Sequence, residues 1–172
     1  MRSAIAVLAM LLLTACTSAT PQPAMTTTSP PTSKRTQTLT ADFQLEERED
    51  HAVGASEEKI YGWAKYTAEV SFLDNTFDAE MFAANDYVKG NGTFEGFVTL
   101  QSPDGDIGLR ITGVTTTGAQ GAGSQYSGEA EVIGGTGIYE TIAGRGQFKG
   151  ERTGPPGTPV DVQVTLELIN PK

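Results

Sequence analysis

Few side chains in this 172-residue sequence carry reactive groups, and their spacing narrows the chemistry open to it. There is one cysteine, Cys16, and one histidine, His51. A serine–histidine–aspartate relay would have to recruit His51, and no Gly-x-Ser-x-Gly turn is present to display the serine. His51 lies in the run Glu46-Glu47-Arg48-Glu49-Asp50-His51, close to Gly54 and Glu57-Glu58, the pattern of an exposed charged loop. Zinc needs more imidazole and thiolate ligands than this chain offers. Asp74, Asn75, Asp78 and Glu80 cluster oxygen ligands, but Ala79 stands where a calcium loop needs glycine, so a polar turn is expected instead. Asp104 and Asp106 flank Gly105 and belong to a turn. No catalytic residue is assigned, and neither a metal nor a cofactor is expected. The best candidates for contact with a ligand are Tyr66 and Tyr126, whose hydroxyls need partners if their apolar faces are buried. Simple core packing is the alternative for both. Trp63 falls on the face opposite Tyr66, and Arg110 shares an outer face with Thr112 and Val114.

The setting of Cys16 carries more information. Met1 and Arg2 make a short basic start, and Ala4 to Leu13 are ten apolar residues without interruption. That is the layout of a secretory signal peptide, too short for a permanent membrane span. The ending Leu13-Thr14-Ala15-Cys16 resembles the bacterial lipobox. The resemblance implies removal of residues 1–15 and acylation of the Cys16 thiol, so that membrane lipid is a partner through Cys16. The competing expectation is ordinary cleavage near Ala15 or Ala19. Each buried methylene contributes about 0.8 kcal/mol, so several acyl chains on one residue anchor stably. Thr17 is not the aspartate that retains lipoproteins at an inner membrane. The expected location is therefore the bacterial cell envelope, at the outer membrane facing the periplasm in a Gram-negative host. Residues 16–38 follow as a tether: Thr17 to Ser33 hold six Thr, three Ser and four Pro, with no charge and no aromatic residue.

Residues 39–172 form one domain of ordinary size, long enough for a core without metal or disulfide. All 21 carboxylates lie there. Of the twelve cations, Arg2, Lys34 and Arg35 lie upstream, which leaves nine and a balance of −12. Such a surface excludes nucleic acid as a partner. Apolar and polar residues alternate through most of it. Val160, Val162, Val164, Leu166 and Leu168 interleave with Asp161, Gln163, Thr165 and Glu167, a strand with one wet face. Ile60, Ala64, Tyr66, Ala68, Val70 and Phe72 make a longer one, and residues 92–116 a hairpin turning at Ser102-Pro103-Asp104-Gly105. Leu39, Ala41, Phe43 and Leu45 share a face, as do Tyr126, Gly128, Ala130 and Val132. Phe77, Met81, Ala84 and Val88 would share a helix face, so that segment reads as a short helix or an irregular strand. Eighteen of the 20 glycines lie between Gly90 and Gly157, several inside strands on the apolar face. Repeated strand glycine favours strong coiling and closure, and predicts an all-β fold: a single antiparallel barrel of about eight strands, with a sandwich as the alternative.

The stretch Gly134-Gly135-Thr136-Gly137-Ile138-Tyr139, followed by Gly144-Arg145-Gly146, resembles a signature of allene oxide cyclase-like and dirigent-like barrels. The resemblance implies a tight connection between two late strands, with Tyr139 plugging the barrel end. It also implies a cavity that shapes a hydrophobic molecule, and frequently a homo-oligomer, the trimer. No functional residue of those families aligns here. The expected function is binding of a small hydrophobic ligand or a partner protein by a membrane-anchored barrel, without bond chemistry. The alternative is a cyclase or dirigent-like enzyme. An open apolar cavity holding an ordered polar pair would favour the enzyme, and a packed interior the interaction module.

Overall fold

The computed structural model describes residues 34–118 and 123–169. Cys16, the signal segment and residues 16–33 of the tether lie outside the described residues. Eight strands follow one another: β1 (Lys34–Val53), β2 (Ser56–Phe72), β3 (Asn75–Val88), β4 (Asn91–Ser102), β5 (Gly105–Thr117), β6 (Ser124–Gly135), β7 (Ala143–Arg152) and β8 (Val160–Ile169). A single 3-10 turn, Gly137–Tyr139, stands between β6 and β7. Each strand pairs antiparallel with the next, and β8 returns to pair with Lys34 to Phe43 of β1, so the sheet closes into a barrel.

The period of two explains which side chains fill it. Val160, Val162, Val164, Leu166 and Leu168 all point inward and are buried, while Asp161, Gln163 and Glu167 between them are exposed. Inward rows alternate bulk with glycine: Gly96, Ile111, Ala130, Gly146 and Leu166 are successive register partners around the wall. A small barrel has little interior room, and this alternation lets large side chains from one strand occupy space left by the next.

One open alternative is decided, and two expectations need correction. The segment from Phe77 to Val88 is strand throughout, in register with β2 as Val70↔Phe77 and Tyr66↔Met81. Phe77 and Met81 are four apart, which satisfies helical spacing and strand alternation equally, whereas Val88 lies half exposed on the outer face. The acidic run around His51 is not a loop either. β1 and β2 continue past it as a paired ribbon that turns at Gly54. Finally, the barrel begins at Lys34 rather than at Leu39. Lys34 to Thr38 pair with Ile169 to Thr165 of β8, and ladder hydrogen bonds need no apolar side chain.

One irregularity shapes the interior. β1 carries a bulge between Leu45 and Glu47. Before it, Leu39, Phe43 and Leu45 face inward; after it the parity changes, and Arg48 pairs with the inward Ala64.

Candidate functional site

The two ends of the barrel differ. At one end the turn motif acts as a lid. Tyr139 is only 2% exposed, its ring sits 5.6 Å from that of Phe77, and its hydroxyl accepts a 2.6 Å hydrogen bond from Asn75 Nδ2. Thr136 binds the β4–β5 turn: its Oγ1 accepts from the Asp106 amide at 2.9 Å, and its own amide donates to the Asp106 carbonyl at 2.9 Å. Gly137 takes a φ of 58° with its α-carbon so close to Asp104 that an added Cβ would lie 2.2 Å from the Asp104 carbonyl oxygen. Gly134 and Gly135 lead the chain into this turn at the end of β6. Phe72, Leu73, Ile107 and Ile142 complete a dry plug.

The opposite end, where β3–β4, β5–β6 and β7–β8 connect, holds a cavity of about 270 Å³. Its floor is apolar: Met81, Phe94, Ile111, Phe148, Val160 and Val162. Phe94 and Phe148 belong to strands β4 and β7, yet their ring centroids are 5.5 Å apart. They meet because the residues between them in the same row are Gly113 and Gly128, which pair with each other. A Cβ on Gly113 would lie 2.9 Å from the Phe94 ring. Tyr126 stands edge-on to Phe94 at 6.1 Å.

The rim is polar. Arg48, turned inward by the bulge, meets Asp50 Oδ2 through Nη2 at 2.5 Å and Nε at 2.7 Å. Partial burial opposes the charge of Arg48, but Asp50 more than offsets it and raises the pKa. Tyr87 and the buried Thr115 share a 2.7 Å hydrogen bond between hydroxyls. Burial pushes the Tyr87 phenol up to about 12, although the Thr115 bond pulls the other way. Burial, with Tyr126 beside it, likewise raises the pKa of Tyr66, against the opposing pull of Arg48 and Arg152. Arg152 donates through Nη2 to the Oγ of buried Ser124 at 3.0 Å and through Nε to the Gly154 carbonyl at 3.1 Å. Asn85 Nδ2 is buried at the cavity wall without any hydrogen-bond partner. Such orphaned donors are rare enough to need an explanation.

Of the residues singled out in the sequence, Tyr66 and Tyr126 both line this cavity, and neither hydroxyl has a hydrogen-bond partner among the described residues. The glycine-rich motif and Tyr139 are at the other end. His51 is exposed on the ribbon, 3.0 Å from Glu49 Oε1. Trp63 faces outward and donates to Glu49 Oε2 at 3.2 Å; Arg110 pairs outside with Glu95 at 2.6 Å. Asn75 is spent on Tyr139, and no metal-binding cluster of carboxylates, imidazoles or thiols occurs among the described residues.

Sequence reasoning missed Arg48, Asn85, Tyr87, Thr115, Ser124 and Arg152. Asn85 and Tyr87 continue the inward parity of Phe77, Ala79 and Met81, a signal open to a strict alternation count. Arg48 gave no such signal, because the bulge breaks the count. Neither a protein-family model nor a curated protein matches this sequence.

Proposed function

We propose that this protein is a lipid-anchored protein of the bacterial cell envelope whose barrel binds a small molecule with an apolar body at its open end, leaving the bonds of that molecule intact. The observation that carries the proposal is a cavity of about 270 Å³ with an aromatic floor and a polar rim, in a barrel plugged at its other end. Pockets that hold small ligands combine apolar lining with a few placed polar groups in this way. The order of basic start, apolar run and Leu13-Thr14-Ala15-Cys16 supports the anchor. The turn motif supports kinship with allene oxide cyclase-like and dirigent-like barrels. Among the described residues no carboxylate or imidazole lines the cavity, and the nearby Asp50 carboxylate is engaged by Arg48, so the site offers hydrogen-bond donors rather than a free base for proton abstraction.

A compound panel resolved by native mass spectrometry of the full-length protein tests this. Small bicyclic compounds should bind one per barrel, and Ala83→Phe, which fills the cavity wall, should abolish binding while the protein stays folded. Binding that survives Ala83→Phe would overturn the assignment of the site. The second reading is an isomerase that folds a hydrophobic precursor, favoured by the ordered Tyr87–Thr115 and Arg48–Asp50 pairs beside the apolar floor. A rearranged compound recovered after incubation would establish it.

A further inference from the structure

On the premise that this cavity holds a ligand, we infer that the ligand is a compact amphipathic monoanion: its carboxylate meets Arg152 at the rim, and its apolar body rests on Phe94 and Phe148. Three cations line the cavity, Arg48, Lys89 and Arg152. Arg48 is neutralised by Asp50, with contacts of 2.5 Å and 2.7 Å, and Lys89 pairs with Glu58 at 3.1 Å. Arg152 has no carboxylate partner among the described residues. Its guanidinium is held by a hydroxyl and a carbonyl, both neutral, which fix its position and leave its charge uncompensated. In a chain of net charge −9, a half-buried arginine without a carboxylate partner at a cavity rim can offer an anion charge-assisted hydrogen bonds.

The neutral groups point the same way. Asn85 Nδ2 is a buried donor without an acceptor, and the hydroxyls of Tyr66 and Tyr126 are free to donate. The Asp50 carboxylate beside them is already engaged by Arg48. The cavity therefore offers donors in excess and one free positive charge. A carboxylate, with two acceptor oxygens and four lone-pair directions, satisfies that set, whereas an alcohol or amine brings another donor. One free cation matches a single negative charge rather than a phosphate dianion. Size sets the rest: 270 Å³ equals about nine waters at about 30 Å³ each, room for a fused ring pair inside the mouth of the barrel.

Calorimetric titration of the full-length protein with 2-naphthoate and its uncharged analogue 2-naphthamide tests this. The carboxylate should bind about tenfold tighter or more, as expected for a hydrogen-bonded charge. Arg152→Met should remove that preference and keep amide binding, which also shows that the variant is folded. Arg152→Lys should retain most of the preference. Equal affinity of the wild type for both probes would overturn the anionic ligand and leave the cavity as a binding site. Binding of neither probe would overturn the binding function itself. If Arg152→Met loses the amide as well, Arg152→Gln decides: loss of the carboxylate preference with the amide still bound supports the arginine contact, and an undiminished preference overturns it.

Discussion

Replacing Tyr139 tests whether the turn motif seals one end of the barrel by packing or merely by a polar latch. Tyr139→Phe removes the hydroxyl that accepts from Asn75 Nδ2 at 2.6 Å and leaves the ring in place. A net hydrogen bond contributes about 1 kcal/mol, and orphaning a fully buried donor costs about 1 to 3 kcal/mol. Asn75 is only half buried and regains part of its solvation, so the loss should be about 1 to 2 kcal/mol. Tyr139→Ala also removes a ring 2% exposed and packed 5.6 Å from Phe77, and truncation of a buried aromatic costs about 3 to 5 kcal/mol. Urea denaturation of each variant, with linear extrapolation to water, gives both numbers. A loss below about 2 kcal/mol for Tyr139→Ala would refute the plug, because that is less than any well-packed aromatic should contribute. The Asn75→Ala, Tyr139→Phe double-mutant cycle isolates the bond, and purely additive losses would show that it contributes nothing. Ligand affinity should not change in Tyr139→Phe, since the cavity lies at the far end of the barrel.

Two pH dependences accompany this. Because folding raises the Tyr87 pKa from 10.0 to about 12, protonated Tyr87 contributes stability that is complete below pH 10 and disappears as the pH climbs through about 12. Absorbance titration at alkaline pH should show a late phenolate step near 12 that Tyr87→Phe lacks, and an unchanged late step would refute the assignment. On the outer wall, Asp161 faces Asp42 across β8 and β1, with Glu151 adjacent on β7; the hydrogen bond between Asp161 and Asp42, and repulsion from the neighbouring carboxylates, raise the Asp161 pKa. A raised carboxyl favours the fold at low pH and loses that advantage as the pH rises through its folded-state value. Asp161→Asn should therefore stabilise the protein at neutral pH, with the gain fading below the ordinary aspartate range. An equal gain at pH 3 and pH 7 would contradict the carboxylate repulsion.

Much of the barrel was legible because strand alternation is a local property. Val160 to Leu168 declare their buried face without knowledge of any partner, and the glycines of β4 to β7 betray close backbone approach. Tyr66 and Tyr126 emerged from the same count. The segment after Asn75 was ambiguous because Phe77 and Met81 satisfy two periods at once. The acidic ribbon was misread because charge suggests solvent, and a strand pair extending beyond the barrel wall can be solvated on both faces.

The sequence by itself thus determined an all-β chain, the inward set of most strands and the residues able to close one end. Those follow from side-chain period and turn chemistry, which act over a few residues. Tertiary structure alone decided where the interior stays open and what lines it. Phe94 and Phe148 touch only because two glycines from intervening strands come into register between them, and Arg48 reaches the cavity only because a bulge reverses its parity. Arg152 and Asn85 lie 67 positions apart in the chain and share a cavity rim solely through closure of the sheet. Convergence of that kind depends on the register of the whole sheet, and no local pattern encodes it.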